Sequence, residues 1–594
     1  MTAGAYVLPL ILGLPLLGAI LVMLIPKEEE ELCRGFGLAF AVASFVAFVG
    51  GWPLYRRRVF TPDEEAMVPM RDGVRLHTRI WRPAGAERAP VILERGYWSG
   101  LEDHAEAFTR AGYAYVGQAT RGHGQSEGPE GEGRRFFDDA RDGYDTLDWL
   151  ARQSWCSGDI AMYGKSYMAI TQLLVAPEGH PNLKAIIPQN APRDLWGRGY
   201  WCAGALTLAM TATGRVFDAA KAYDWDAVLR FLPLIDLDVH VAGERRKLWQ
   251  DYVAHSTYDD FWKAISVRDK LDRIGIPVYL MGGWYDYYAG EALDCYRELA
   301  KAAPGVERRV VVSATDHLNR LVGDRSLPGG GKDELALAVM WLDHVLKRAD
   351  AGMAEEPPVQ IFVMGTNKWR GEREWPLART VFTPYYLHGN GTLATAPPSE
   401  GPPSSYVYDP ADPVPTLGGN HSCLLAIPNI AAGSVDQRPN ADRSDVLVFD
   451  SAMLDDDLEV TGPVTVKLFA ASSAPDTDFV AMLIDVHPDG TAYNLSEGII
   501  RARFRRSIWE EPQLLEPGAV YDYAIELAPT ANVFLRGHRI RVHITSSNFP
   551  LWDRNPNTGH PQGLDTEMQR ARQTIFHDSE RPSHILLPII ASAS

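Results

Sequence analysis

The sequence predicts an α/β domain with a mostly parallel sheet, followed by an all-β domain and preceded by a transmembrane helical hairpin. Three observations carry that expectation. Strand, loop and helix patterns alternate from about residue 70 to 345, the signature of a sheet with helices on its faces. From about residue 357 the pattern changes to short alternating strands such as "VTVKLFAASS", with Pro/Gly/Ser-rich breaks such as "TAPPSEGPPSS", as in an antiparallel sandwich. The first 55 residues hold two uncharged apolar runs. At 594 residues the chain also exceeds what one core usually supports, so several domains are expected.

The apolar runs, Ala3 to Ile25 and Gly35 to Leu54, are each close to the roughly 20 residues that span a bilayer. The first lacks a basic start and exceeds the roughly 7 to 15 apolar residues of a signal peptide, which favours a hairpin over a cleaved leader. Lys27 and Arg34 lie between the runs, whereas Arg56, Arg57 and Arg58 follow the second. Because acidic residues count little in topology, this margin leans toward both ends, and a catalytic domain, on the cytoplasmic side. The stretch "LPLLGAILVMLIP" (14–26) resembles the opening helix of antiporter-like membrane subunits of proton-pumping NADH dehydrogenases. No intramembrane Lys or Glu accompanies it, so the resemblance implies an anchor and not transport.

The chain has 76 acidic against 58 basic residues and a net charge of −18, which argues against a nucleic-acid surface. Cys33, Cys156, Cys202, Cys295 and Cys423 are dispersed without a C-x-x-C pair. Neither a zinc site nor a disulfide framework is indicated, and a sparse odd set suits a reducing compartment.

After the basic cluster, "VPMRDGVRLHTRIWRP" (68–83) alternates about Asp72-Gly73 and reads as a β-hairpin. "APVILERGYW" (89–98) and "YAYVGQATRGHG" (113–124) are strands running into loops. "DDARDGYDTLDWLARQ" (138–153) has helical spacing, with Tyr144, Leu147, Trp149 and Leu150 as its expected buried face. An insertion of nearly ninety residues follows the strand ending near Ile187, and its helical, aromatic character predicts a cap over about 190–272.

Two serines compete as nucleophile. "GQSEG" (124–128) matches the elbow pattern G-x-S-x-G in full, while "GKSYMA" (164–169) has Met168 where the spacing asks for Gly. Context reverses the ranking, because an elbow serine sits on a tight turn between a buried strand and a helix. Ser166 has the strand "DIAMYG" before it and the helix-like "YMAITQLLVA" after it, whose N-terminus would offer N–H groups to a developing negative charge. Ser126 lies between "RGHG" and "EGPEGEG", a turn-rich acidic stretch that reads as a loop.

The partners should follow as an acid and then a histidine. "IPVYLMGGWYDYYAG" (276–290) is an apolar strand with Asp286 just past its end, and "RRVVVSATDHLN" (308–319) is the next strand with His317 just past its end. Carboxyl-terminal strand ends are where open α/β sheets place their chemistry. Asp316 is the rival acid, although adjacent side chains point apart and it could hardly orient its neighbour's ring.

From about residue 65 to the end the chain resembles the X-Pro dipeptidyl-peptidase and cocaine-esterase (CocE/NonD) family of α/β-hydrolases. "RGHGQSEG", "DGYDTLDWLARQSWCSGDIAMYGKSYMAITQ", "GGWYDYYAGE" and "HRIRVHITSSNFPLWDRNPNTG" carry the likeness. It implies a catalytic Ser166, Asp286 and His317, an α/β-hydrolase domain over 59–356, and a jelly-roll-like sandwich over 357–594 after the hairpin segment 1–58. Ala169 departs from the family's G-x-S-Y-x-G. The resemblance implies that the Tyr167 backbone N–H and a tyrosine hydroxyl, from a loop reading like R-T-P-Y, receive the oxyanion. Here that loop reads "ERGYWSG", in which Tyr97 is the favoured donor although ungapped alignment puts Trp98 in the slot. The expected activity is serine hydrolysis of an ester or amide of a small acyl substrate, with neither metal nor organic cofactor. The alternatives are an X-Pro dipeptidyl aminopeptidase and a non-catalytic membrane-tethered binding protein.

Overall fold

The computed structural model describes residues 60–591 apart from 130–135, 218–222, 350, 351, 354, 422–426, 428, 429 and 431. The hairpin expected over residues 1–58 lies outside that set. Among the described residues no helix is long and apolar enough to cross a membrane. Every element below belongs to the unit Asp63–Ser594.

Alternation about Asp72-Gly73 folds as an antiparallel hairpin of β1 (Glu64–Pro69) and β2 (Arg75–Trp81). β3 (Ala89–Gly96), β4 (Ala114–Ala119), β5 (Cys156–Lys165) and β6 (Leu183–Gln189) follow, joined by helices over the first three crossovers. Their apolar runs are buried almost continuously, as in parallel strands covered on both faces. A small hairpin, β7 (Trp201–Cys202) with β8 (Ala205–Leu206), opens the insertion, and β9 (Val278–Gly283) and β10 (Arg308–Ser313) return to the sheet. With β11 (Val359–Val363) and β12 (Lys368–Glu372), the ten-stranded order is β1-β2-β4-β3-β5-β6-β9-β10-β11-β12, parallel from β4 to β11 and antiparallel at both ends.

β11 (Val359–Val363) and β12 (Lys368–Glu372) lie beyond residue 356, where the change of domain was expected. They extend the α/β sheet because β11 pairs parallel with β10 over Val310–Val312. A five-residue strand at a sheet edge has the same local pattern as the strands of the next domain, so alternation alone does not tell which sheet it joins.

The helix Asp139–Ala151 buries Asp139, Asp142, Gly143, Thr146, Leu147 and Leu150. Tyr144 and Trp149, expected in its buried face, are half-buried at the sides. Polar partners beneath the helix hold that face, for the buried Arg95 donates Nη1 to the Asp139 carbonyl at 2.8 Å and the Thr146 hydroxyl donates to Gln118 Oε1 at 2.9 Å.

Between β6 and β9 the described residues include five α-helices from Leu208 to Ala264. Trp201, Trp249 and Trp262 are buried there and donate their indole N–H groups to the carbonyls of Tyr252, Leu234 and His255. Satisfied, buried aromatics of this kind fill a core. The C-terminal part is β-rich, with one seven-stranded and one four-stranded antiparallel sheet. Strands Leu458–Ser472 and Val520–Phe534 pair along nearly their whole length.

Candidate active site

Ser166 stands between β5 and the helix Tyr167–Val175 with φ 60° and ψ −120°. A positive φ is costly for any residue with a Cβ, so this turn is held by its surroundings. The Ser166 N–H donates to the Gln189 carbonyl at the end of β6 at 2.9 Å, and the Ser166 carbonyl accepts from Ala169 and Ile170. Met168, which occupies the place of the pattern's second glycine, fits because its neighbours lack side chains. A Cβ on Gly96 would fall 2.5 Å from Met168 Cγ, and one on Gly164 2.6 Å from Met168 Cβ. Ala169 is fully buried.

Ser126 has a different place. Its hydroxyl donates to the Ala119 carbonyl at 2.7 Å and accepts from the His77 N–H at 2.8 Å, while Glu127 pairs with Arg75. Ser126 therefore ties a turn to the β2 and β4 strands. Ser126→Ala is expected to lower stability by about 1–3 kcal/mol, the cost of leaving such groups unsatisfied, and to leave ester turnover per folded molecule unchanged. Urea unfolding alongside an esterase assay checks both.

Asp286 and His317 follow β9 and β10 and meet as a buried pair, His317 Nδ1 lying 2.6 Å from Asp286 Oδ2. Both are nearly inaccessible. The other Asp286 oxygen accepts the Tyr288 N–H at 2.6 Å, and the Tyr288 ring packs edge-on against His317 at 5.9 Å between centroids. Asp316 is committed elsewhere, accepting from the Leu318 and Arg320 N–H groups and from the Arg320 guanidinium. Asn190, a residue not singled out in the sequence, connects the parts. Its N–H donates to Met281 and its side-chain amide to the His317 carbonyl at 3.0 Å, one residue after the Gln189 carbonyl that holds Ser166. Sheet order thus brings the turns bearing Ser166, Asp286 and His317 to one edge, with β6 between β5 and β9.

The Tyr97 ring lies 4.8 Å from that of Tyr167 and 5.3 Å from that of His123, centroid to centroid. Trp98 is 46 % exposed and turned toward solvent. Tyr167 is the first residue of its helix, a position whose N–H has no acceptor within the helix itself.

A strut from the β-rich part reaches the loop that carries Asp286. The Asn420 side-chain amide donates to the Trp284 carbonyl, two residues before Asp286. The Asn420 N–H donates to Glu497 Oε1 at 2.9 Å, and among the described residues Glu497 Oε2 has no hydrogen-bond partner. Burial pushes the Glu497 carboxyl up to about 8, against the pull of the Asn420 N–H. Gly419 beside it has φ 115°, a conformation that side chains rarely adopt, and a Cβ there would displace the Glu497 carboxyl.

A predominantly parallel sheet with a strained serine at a strand–helix turn, followed by a carboxylate and a histidine at later strand ends, defines an α/β-hydrolase. Residues 72–319 match the X-Pro dipeptidyl-peptidase (S15 family) domain, and residues 351–586 match the X-Pro dipeptidyl-peptidase C-terminal non-catalytic domain. Over 581 residues the chain is 39% identical to the cocaine esterase of Rhodococcus sp. (strain MB1 Bresler), covering 89% of this chain and 99% of that protein. Among solved structures, an aminopeptidase from a marine sediment Thaumarchaeota archaeon is 29% identical with a TM-score of 0.78. An α-amino acid ester hydrolase is 26% identical with the same TM-score; each covers 90% of this chain and 98% of its own. The chain belongs to the cocaine esterase and X-Pro dipeptidyl-peptidase family, and it is a serine hydrolase acting on ester or amide bonds.

Proposed function

We propose that Ser166, His317 and Asp286 are the triad of an esterase or acylase for small acyl substrates, and that the Tyr167 N–H and the Tyr97 hydroxyl receive the oxyanion. The observation that carries this is the buried 2.6 Å contact between His317 Nδ1 and Asp286 Oδ2. A carboxylate on Nδ1 holds that proton, so Nε2 is left as the base and the imidazolium formed in the reaction is stabilised. Ser166 Oγ attacks the carbonyl carbon while its proton passes to His317 Nε2. As the tetrahedral intermediate collapses, that proton goes to the leaving alkoxide or amine and the acyl group stays on Ser166. Water, deprotonated by His317, then releases the acid and restores the serine. Tyr97 supports this reading by its place over Tyr167 and His123, where a phenol adjoins the turn that bears the nucleophile.

Both family domains matched by the chain are named for X-Pro dipeptidyl-peptidases, which keeps that activity as the second reading. Hydrolysis of a p-nitrophenyl ester with none of an X-Pro anilide favours the first; the reverse preference overturns it. Peptide mapping after a fluorophosphonate probe is expected to place the adduct on Ser166, and an adduct elsewhere, or none, would sink the assignment.

The first 58 residues carry the remaining part of the reading, a jelly-roll-bearing hydrolase tethered by a hairpin to the cytoplasmic face of a membrane. Alkaline carbonate is expected to leave the full-length chain in the pellet and to release a form beginning near Val59. Recovery of the full-length chain in the soluble fraction overturns the tether.

A further inference from the structure

Tyr167 differs from an ordinary first helical residue in how its ring is held. Its hydroxyl donates to Asp139 Oδ2 at 2.9 Å and lies 3.0 Å from Thr120 Oγ1. Phe136 packs edge-on against the ring, and the Phe136 N–H donates to the same Asp139 oxygen at 3.1 Å. Asp139 is itself fixed, for Arg95 Nη1 donates to its carbonyl at 2.8 Å and Asp139 is buried. Thr120 faces the other way as well. Its N–H and hydroxyl both reach the Gly96 carbonyl, the peptide oxygen just before Tyr97, at 2.8 and 3.1 Å. One hydrogen-bonded post thus touches the residue after Ser166 and the start of the loop that carries Tyr97.

We infer that Asp139 and the Tyr167 hydroxyl are positioning groups for the oxyanion hole, acting through the Tyr167 backbone. The inference rests on the triad reading above. The orientation of the Tyr167 N–H depends on the torsions on either side of it, and those lie in a strained turn with little intrinsic preference for the observed values. A ring anchored at its far end resists rotation about the Cα–Cβ bond and so limits how far the backbone can relax. Donors that stabilise an oxyanion act only when aimed in advance, and a displacement of a few tenths of an ångström weakens them in the transition state more than in the bound substrate. Loosening the post should therefore lower kcat and leave KM nearly unchanged.

The test uses Tyr167→Phe, Asp139→Ala, their combination and Asp139→Asn, with rates expressed per site titrated by a fluorophosphonate. Tyr167→Phe and Asp139→Ala are each expected to lose about tenfold in kcat with KM shifted less than about twofold, and phenylboronic acid, which forms a tetrahedral adduct, should bind weaker by a similar factor. The double variant should lose no more than the worse single one, because both break one linkage. Asp139→Asn keeps an acceptor oxygen and should retain most of the activity. Unchanged kcat per titrated site in Tyr167→Phe, or losses that multiply in the double variant, would overturn the inference. Should Asp139→Ala fail to fold, Tyr167→Phe decides alone. A wild-type chain that takes up no probe would instead indict the triad, so the two failures are separate.

Discussion

Ser166→Ala is expected to lower kcat on a short-chain p-nitrophenyl ester by about a million-fold, as removing a triad serine does in other hydrolases. On the proposed mechanism the loss is this large because the serine is the covalent partner: without Oγ no acyl-enzyme forms, and the His317 and Asp286 pair has no proton to accept. What remains is substrate binding and the oxyanion donors, which together keep a rate above that in water. Stability should change little, since alanine carries the same Cβ into the same φ of 60°. Stopped assays on a chain starting near Val59, with Ser126→Ala in parallel, provide the measurement. An inactive Ser126→Ala beside an active Ser166→Ala would reverse the assignment and contradict the backbone role of the Ser126 hydroxyl.

The contest between the two serines shows what a sequence can convey. "GQSEG" satisfies a five-letter pattern yet forms a turn, while Ser166 violates it and occupies the strand–helix junction. The pattern's second glycine stands for space, and here Gly96 on β3 and Gly164 on β5 supply that space to Met168. Gly96 is about 70 residues distant in the chain, so no local window could reveal the exchange. The placement of Asp286 and His317 just past strand ends was legible because β9 and β10 are uniform apolar runs with clear ends. The helix after residue 138 was legible as a helix, but its buried face was not. Hydrophobic spacing cannot anticipate that the polar start and middle of this helix will find buried partners in Arg95 and Gln118. Likewise Asn190 and the Asn420–Glu497 strut leave no motif, being single polar residues whose partners are set by sheet order and by the second domain. Changes in alternation marked the broad division, and only pairing with β10 assigned Val359–Val363 to the first sheet.

Glu497→Gln is expected to flatten the dependence of stability on pH between about 4.5 and 8, and to make the protein more stable than the wild type at the alkaline end. The sign follows from proton binding. In the fold the Glu497 carboxyl is raised from its usual 4.5 to about 8 by burial. Below 4.5 the folded and unfolded chains both hold the proton, and this group contributes no slope. Between 4.5 and 8 the folded chain keeps a proton that the unfolded chain has lost, so rising pH favours unfolding by up to about 1.4 kcal/mol per pH unit. Across the window that amounts to about 5 kcal/mol, a large share of the 5–15 kcal/mol that is typical of domains. Glutamine has nearly the same shape, and its oxygen can still accept the Asn420 N–H. Its amide nitrogen stands where Oε2 lacks a partner, a cost that does not vary with pH. At pH 5 the variant should therefore be equal to the wild type or slightly less stable, and the order should invert as pH rises toward 8.5. Urea denaturation of both proteins at half-unit intervals measures the two curves. If they run parallel, Glu497 titrates in the fold much as it does unfolded, and the neutral strut beneath the Asp286 loop is disproved.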